Sequence, residues 1–221
     1  KLSPWINKKF QEARNEMFIA SLDLHKSFLI ENSEKIHSNL RSLKEVLEGD
    51  FQEKDIYAQS ILQTLFLVVP VVSTTFHSFG KVFQSMKDES IGWLLIDEAG
   101  QATPQAPVGG LYRAKRAIFV GDPLQVEPVI QVEEKLSDVL MDKNHISKAW
   151  NSCQFSAQQI ADRNNLFGTY LGMGENKIWV GSPLRVHRRC QNPMFKIANK
   201  IAYDNRMIYG KKAEHHLSVV E

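Results

Sequence analysis

Along the first stretch of the chain, apolar residues return at steps of three and four. Ile6, Phe10, Ala13, Met17, Ala20, Leu24 and Phe28 trace one helical face, and Ser3-Pro4 supplies a helix start with proline at its first position. Ile36, Leu40, Leu43 and Leu47 predict a second helix, closed by Gly49. The two are expected to form an antiparallel pair that packs on another element or projects as an arm. This defines a helical segment over residues 1–64.

From Leu65 the helical period gives way to short apolar runs, each followed by a polar turn: "LFLVVPVVSTTF", "IGWLLIDEAG" and "AKRAIFVGDPLQ". Val68 to Val72, Trp93 to Ile96 and Ala117 to Val120 read as strands buried on both faces, since unbroken hydrophobicity marks a parallel sheet covered by helices. Pro70 then belongs at a strand start or at an edge. Gln131 to Lys177 is polar and mostly helical or looped. "WVGSPLRVHRRC" starts another strand, and "NPMFKIANKIAY" is an amphipathic helix with Met194, Ile197, Ala198 and Ile201 on one side.

Composition narrows the class. The chain has 221 residues, 43% of them hydrophobic, and a formal net charge of +2. That suits an ordinary soluble globular protein, and the charge is too small to identify a nucleic-acid partner by bulk electrostatics. Cys153 and Cys190 lie far apart, which excludes a disulfide scaffold or a thiolate zinc site and suits a reducing cytoplasm. The longest apolar stretch, Leu65 to Val72, is too short to cross a bilayer, so no membrane partner is expected. The start, "KLSPWINKKF", has no signal-peptide core and no initiating methionine, and reads as a cut from inside a longer protein.

The chemistry lies where each apolar run ends, at "STT", "DEAGQ" and "GDPLQ". In open α/β sheets, ligands bind outside the carboxyl ends of the strands. Asp97 and Glu98 admit two readings. Asp97 caps the following helix, or the pair faces a magnesium ion and a phosphate, Asp97 near the metal and Glu98 placed to orient and deprotonate water. Gly121 permits a sharp turn, Asp122 adds an acceptor, and the amide of Gln125 can touch a terminal phosphate without adding charge.

"DEAGQ" and "GDPLQ" resemble motifs II and III of superfamily 1 helicases, and "PVVSTTFHSF" and "PLRVHRRCQNPMFKIANKIAY" resemble motifs Ic and IV of the branch containing the nonsense-mediated decay helicase and senataxin. The resemblance implies a partial RecA-like P-loop NTPase core, with a parallel sheet preceded by a helical insertion. Residues 65–177 would be the second part of the first RecA-like domain and 178–221 the beginning of the second. It implies ATP and Mg2+ as cofactors, with Asp97 on the metal and Glu98 as catalytic base. Gln101 and Gln125 would read the γ-phosphate, with Gly121 and Asp122 beside them, and Arg185 would act as an arginine finger. Ser73, Thr74 and Thr75 would hold the backbone of single-stranded DNA or RNA.

Two departures stand out. Pro183-Leu184 replaces the Gln-Tyr that precedes the family's arginine, and Arg188 replaces the proline after His187. No G-x-x-x-x-G-K-[ST] phosphate loop occurs, and that loop supplies most backbone donors to a triphosphate. The expectation is a fragment of an ATP-dependent translocase that is inactive when isolated. A nucleotide-switch or scaffold ATPase on the same fold is the alternative, and a purely interacting helical module a third.

Overall fold

The structure, a computed structural model, describes residues 7–48, 55–130, 132–172 and 177–210. The expected start at Ser3-Pro4, the Gly49 cap and most of "GMGENK" fall outside these residues. The chain divides into two units, Lys1–Ser90 and Ile91–Glu221.

The first unit is helical. Helix α1 (Lys8–Glu31) is capped by Asn7, whose side chain accepts the Phe10 N–H at 2.8 Å. It buries none of its residues, and Phe10, Met17, Leu24 and Phe28 all remain exposed. The next helices, α2 (Ser33–Arg41) and α3 (Leu43–Glu48), pack on α4 (Asp55–Val68) rather than running back along α1, so the expected antiparallel pair does not form. Asn39 ties α2 to α4 by donating to the Thr64 hydroxyl at 2.9 Å. Val46, Ala58, Ile61 and Leu62 are buried with Phe83 and Met86.

The strand expected over Val68 to Val72 does not form: Val68 ends α4, and Val69 to Val72 lie in the bend and loop that follow. Ala58, Ile61 and Leu62 set a helical frame with one buried face, and the frame runs on until Val69 donates to Leu65 at 2.7 Å. Pro70 then stops it, lacking an N–H. Helix α5 (Phe76–Val82) follows.

The second unit is mixed α/β with short parallel pieces. Strand β1 (Leu94–Ile96) pairs in parallel with β2 (Ala117–Phe119), Leu94 opposite Ala117 and Ile96 opposite Phe119. Only one face of β1 is deeply buried. Ile96 is 3% exposed while Leu95, on the other face, is 61% exposed, as alternation along a strand requires. The expected burial on both faces is therefore not found. A short 3-10 turn (Ala99–Gln101) and α6 (Val108–Arg113) connect the two strands.

Beyond α7 (Glu134–Lys143), helix α8 (Ala157–Arg163) begins with a capping box between Ser156 and Gln159. Strands β3 (Gly168–Leu171) and β4 (Ile178–Gly181) are antiparallel, and β3 lies in the stretch expected to be mostly helical or looped. Strand β5 (Val186–His187) runs parallel to β6 (Ile208–Tyr209). Helix α9 (Met194–Ala202) joins them.

Helix α9 turns its expected apolar stripe outward: Met194, Ile197, Ala198 and Ile201 are exposed, and Phe195 and Asn199 are buried. The Phe195 ring lies 5.4 Å from His187 and 5.0 Å from Tyr209. Asn199 clamps the Met207 backbone, donating to its carbonyl at 3.1 Å and accepting its N–H at 3.0 Å. One aromatic and one fully used amide fix the helix, and the larger apolar count does not decide its facing.

Candidate functional site

The β1–β2 ladder continues past both strand ends. Val120 donates to Ile96 at 2.8 Å, and Ala99 donates to Val120 at 2.9 Å. These two bonds draw the "DEAGQ" and "GDPLQ" loops together, and the approach leaves no room for side chains. A Cβ on Gly100 would stand 2.6 Å from the Asp122 carbonyl oxygen, and one on Gly121 would stand 2.7 Å from the Gly100 nitrogen. Gly121 does not have a positive φ. It is required here for close approach rather than for a sharp turn.

Asp97 and Glu98 are both exposed. The Asp97 carboxylate accepts the Glu98 N–H at 3.0 Å. Glu98 sits in the left-handed region, φ 52 and ψ 39, a conformation that costs a non-glycine residue about 1–2 kcal/mol. The Glu98 carboxylate accepts from the Gln101 amide at 3.2 Å. These three side chains form one local cluster.

Asp122 organises a second cluster. One of its oxygens accepts the Leu124 N–H at 2.9 Å. The other accepts the Gln125 amide at 2.9 Å and also the hydroxyl of Tyr203, from the residue that caps α9. Burial, then the bond to Asp122 and its charge, push the Tyr203 phenol up to about 12, while a hydrogen bond with Gln125 works the other way. Tyr203 therefore stays protonated and donates.

Arg185 is exposed just before β5, and its Nε donates to the Arg206 carbonyl at 2.9 Å. Gly121, Asp122, Gln125, Arg185 and Tyr203 line one open cavity of about 1610 Å³. Asp97, Glu98 and Gln101 are not part of its lining. The structure thus brings Asp122, Gln125 and Arg185 to one opening and sets the Asp97 cluster beside it, through the glycine contact.

Ser73, Thr74 and Thr75 lie in the first unit and are exposed. The Thr75 hydroxyl caps α5, accepting the Ser78 N–H at 3.3 Å.

Sequence reasoning misses three residues here. Tyr203 has its partner 81 positions away, so spacing gives no signal for it. Gln158 and Asp162 sit one helical turn apart on α8, both buried, with the Gln158 amide donating to Asp162 at 3.0 Å. Their i, i+4 spacing is visible in sequence, but nothing there marks the pair as buried. Burial raises the Asp162 carboxyl above its ordinary value, and one oxygen of each side chain has no hydrogen-bond partner.

The chicken (Gallus gallus) protein DNA replication ATP-dependent helicase/nuclease DNA2 is 23% identical to this chain over 180 residues, covering 81% of the chain. The chain spans 15% of the length of that relative. No solved structure matches it. Residues 6–133, more than half the chain, match the AAA domain family over both loops of the site, and the chain belongs to that family.

Proposed function

We propose that this chain is part of the motor of an ATP-dependent helicase, in which ATP hydrolysis drives movement on single-stranded DNA or RNA. The observation that carries this is the junction of Gly100 and Gly121, which holds the Asp97 cluster against the cavity shared by Asp122, Gln125 and Arg185. The AAA domain match and the helicase name of the chicken relative support it.

The residues fit a magnesium ion shared with phosphate. Such an ion takes oxygen ligands, keeps several waters and needs only one or two protein carboxylates. Asp97 and Glu98 present adjacent exposed carboxylates, and among the described residues no cluster of three His, Cys, Asp or Glu side chains forms a closed cage. When bound, the ion would neutralise phosphate charge. Asp97 would hold it, and Glu98 would orient water and accept its proton. Gln101 holds Glu98 by donating a hydrogen bond from its side-chain amide to the Glu98 carboxylate. Gln125 offers an amide, and Arg185 a guanidinium, to the charge that builds on a transferred phosphoryl group.

In this proposal residues 1–64 are a helical insertion, 65–177 complete a first RecA-like domain and 178–221 open a second. By the same proposal the protein belongs to the branch of the nonsense-mediated decay helicase and senataxin, a reading supported by the resemblance of its four motifs. Cys153 and Cys190 are both free, which suits a reducing cytoplasm. No described helix is long and apolar enough to cross a membrane.

A nucleotide-switch ATPase on the same fold is the second reading. It is favoured by one observation: the Thr75 hydroxyl is already engaged as a helix cap. Phosphate release from ATP and Mg2+ by the full-length protein, with and without single-stranded DNA or RNA, separates the two. A translocase should be stimulated at least about tenfold and Glu98→Gln should abolish the signal. Turnover indifferent to either nucleic acid would favour the switch.

A further inference from the structure

The turn Tyr203–Arg206 touches both halves of the cavity site. At one end the Tyr203 hydroxyl donates to Asp122, and at the other the Arg206 carbonyl accepts from Arg185 at 2.9 Å. The turn between them is closed, with Arg206 donating to the Tyr203 carbonyl at 2.9 Å. Its two central residues, Asp204 and Asn205, have φ of 50 and 57. Two left-handed residues in succession mark a tight mirror-image turn, and Asp and Asn are among the few side chains that tolerate it. Asn205 also donates to Asn199 on α9 at 3.0 Å, and Asn199 holds Met207 from the other side. The segment is a short spacer fixed at several points.

Asp122 has two local donors, Leu124 and Gln125, two and three residues away. Those bonds are internal to the loop. Tyr203 supplies a tie from a distant element. The consequence for Gln125 follows from donor chemistry. A carboxylate only accepts, so Gln125 must present its NH2 group to Asp122. With the NH2 group engaged by Asp122 and Tyr203, the carbonyl oxygen of the amide remains for a ligand. The flip of the amide is set by Asp122, and Asp122 is set by Tyr203.

We propose that Tyr203 is a positioning residue, which through Asp122 fixes the Gln125 carboxamide and, through its turn, the spacing of Gln125 from Arg185. This rests on the ATP-hydrolysing reading above. Tyr203 acts by holding Asp122 and by its own hydrogen bond with Gln125.

The test is a double-mutant cycle in the full-length protein, with steady-state phosphate release from ATP and Mg2+ as readout. Tyr203→Phe keeps the ring and removes the tie. It should lower kcat about tenfold, the low end for a hydrogen bond to a charged group, and leave KM within about twofold. In a Gln125→Ala background the same change should cost nothing further, since positioning has nothing left to position. An equal loss in both backgrounds, or no loss in either, overturns the proposal. If Gln125→Ala itself leaves kcat unchanged, Gln125 is removed from the site and the Tyr203 proposal falls with it, so the single variant tells the two failures apart. Should Tyr203→Phe fail to fold, Asp122→Asn enters the same cycle. Its side chain can turn a donor toward Gln125, and the outcomes carry the same meaning.

Discussion

Gly100 and Gly121 meet backbone to backbone, and neither position has room for a methyl group. An added Cβ would lie 2.6 Å from the Asp122 carbonyl in one case and 2.7 Å from the Gly100 nitrogen in the other. The obstacles are main-chain atoms, which cannot swing aside. Gly121→Ala and Gly100→Ala should each destabilise the chain by about 1–3 kcal/mol, read as a lower urea midpoint. Gly80→Ala is the control. It meets nothing within 4 Å and lies inside α5, so it should gain about 0.5–1 kcal/mol. If the control and Gly121→Ala shift alike, the contact is not tight.

The two loops are legible in sequence because each rests on a local rule, an apolar run handing over to small and acidic residues. The same reasoning fails at Val68 to Val72. There the first valine closes a helix that began at Asp55 and the rest of the run forms no strand, since tertiary packing outranks intrinsic preference. It fails again on α9, where an apolar tally favours the stripe through Met194 and Ile201. The structure instead buries Asn199, because its amide closes two hydrogen bonds on Met207. Tyr203 stays hidden for a different reason. Contacts across 81 residues leave no periodic trace.

Asp162 should make the chain less stable as pH rises. Burial raises its folded pKa above the ordinary 3.8, so the native state holds the proton more tightly than the unfolded chain. The stabilisation is then fully present below about 3.8 and is lost as pH climbs through the raised folded value. Asp162→Asn removes the ionisation while keeping an acceptor for Gln158. At neutral pH it should raise stability by about 1 kcal/mol, or Tm by about 2–4 °C for a chain of this size. Below pH 3.8 the two melting curves should converge. A variant less stable than the parent at pH 7 would show that the carboxylate is stabilised by its surroundings.

ATP should bind this 221-residue chain no more tightly than about 1 mM, or about 4 kcal/mol. The sequence lacks the glycine-rich lysine loop that supplies most backbone donors to a triphosphate. Titration calorimetry with ATP and Mg2+ checks this, and micromolar affinity would mean that the cavity binds nucleotide without such a loop.

Arg185 gives the most direct test of the cavity as a reaction site. Its Nε is committed to the Arg206 carbonyl, which fixes the plane of the guanidinium and leaves both terminal nitrogens for a ligand. A guanidinium held in this way can neutralise charge on a transferred phosphoryl group without first giving up another partner. Removal of such a group costs on the order of 10³- to 10⁵-fold in turnover. Arg185→Ala in the full-length protein should fall at the lower end, about 10³-fold in kcat, with ATP affinity within about threefold. Arg185→Lys should recover little, because lysine has no Nε donor for Arg206 and no fork for phosphate. The two variants together distinguish charge from geometry. Recovery of most activity by lysine would mean that a point charge suffices, and unchanged kcat in Arg185→Ala would leave the arginine as a structural tie between β5 and the Tyr203–Arg206 turn.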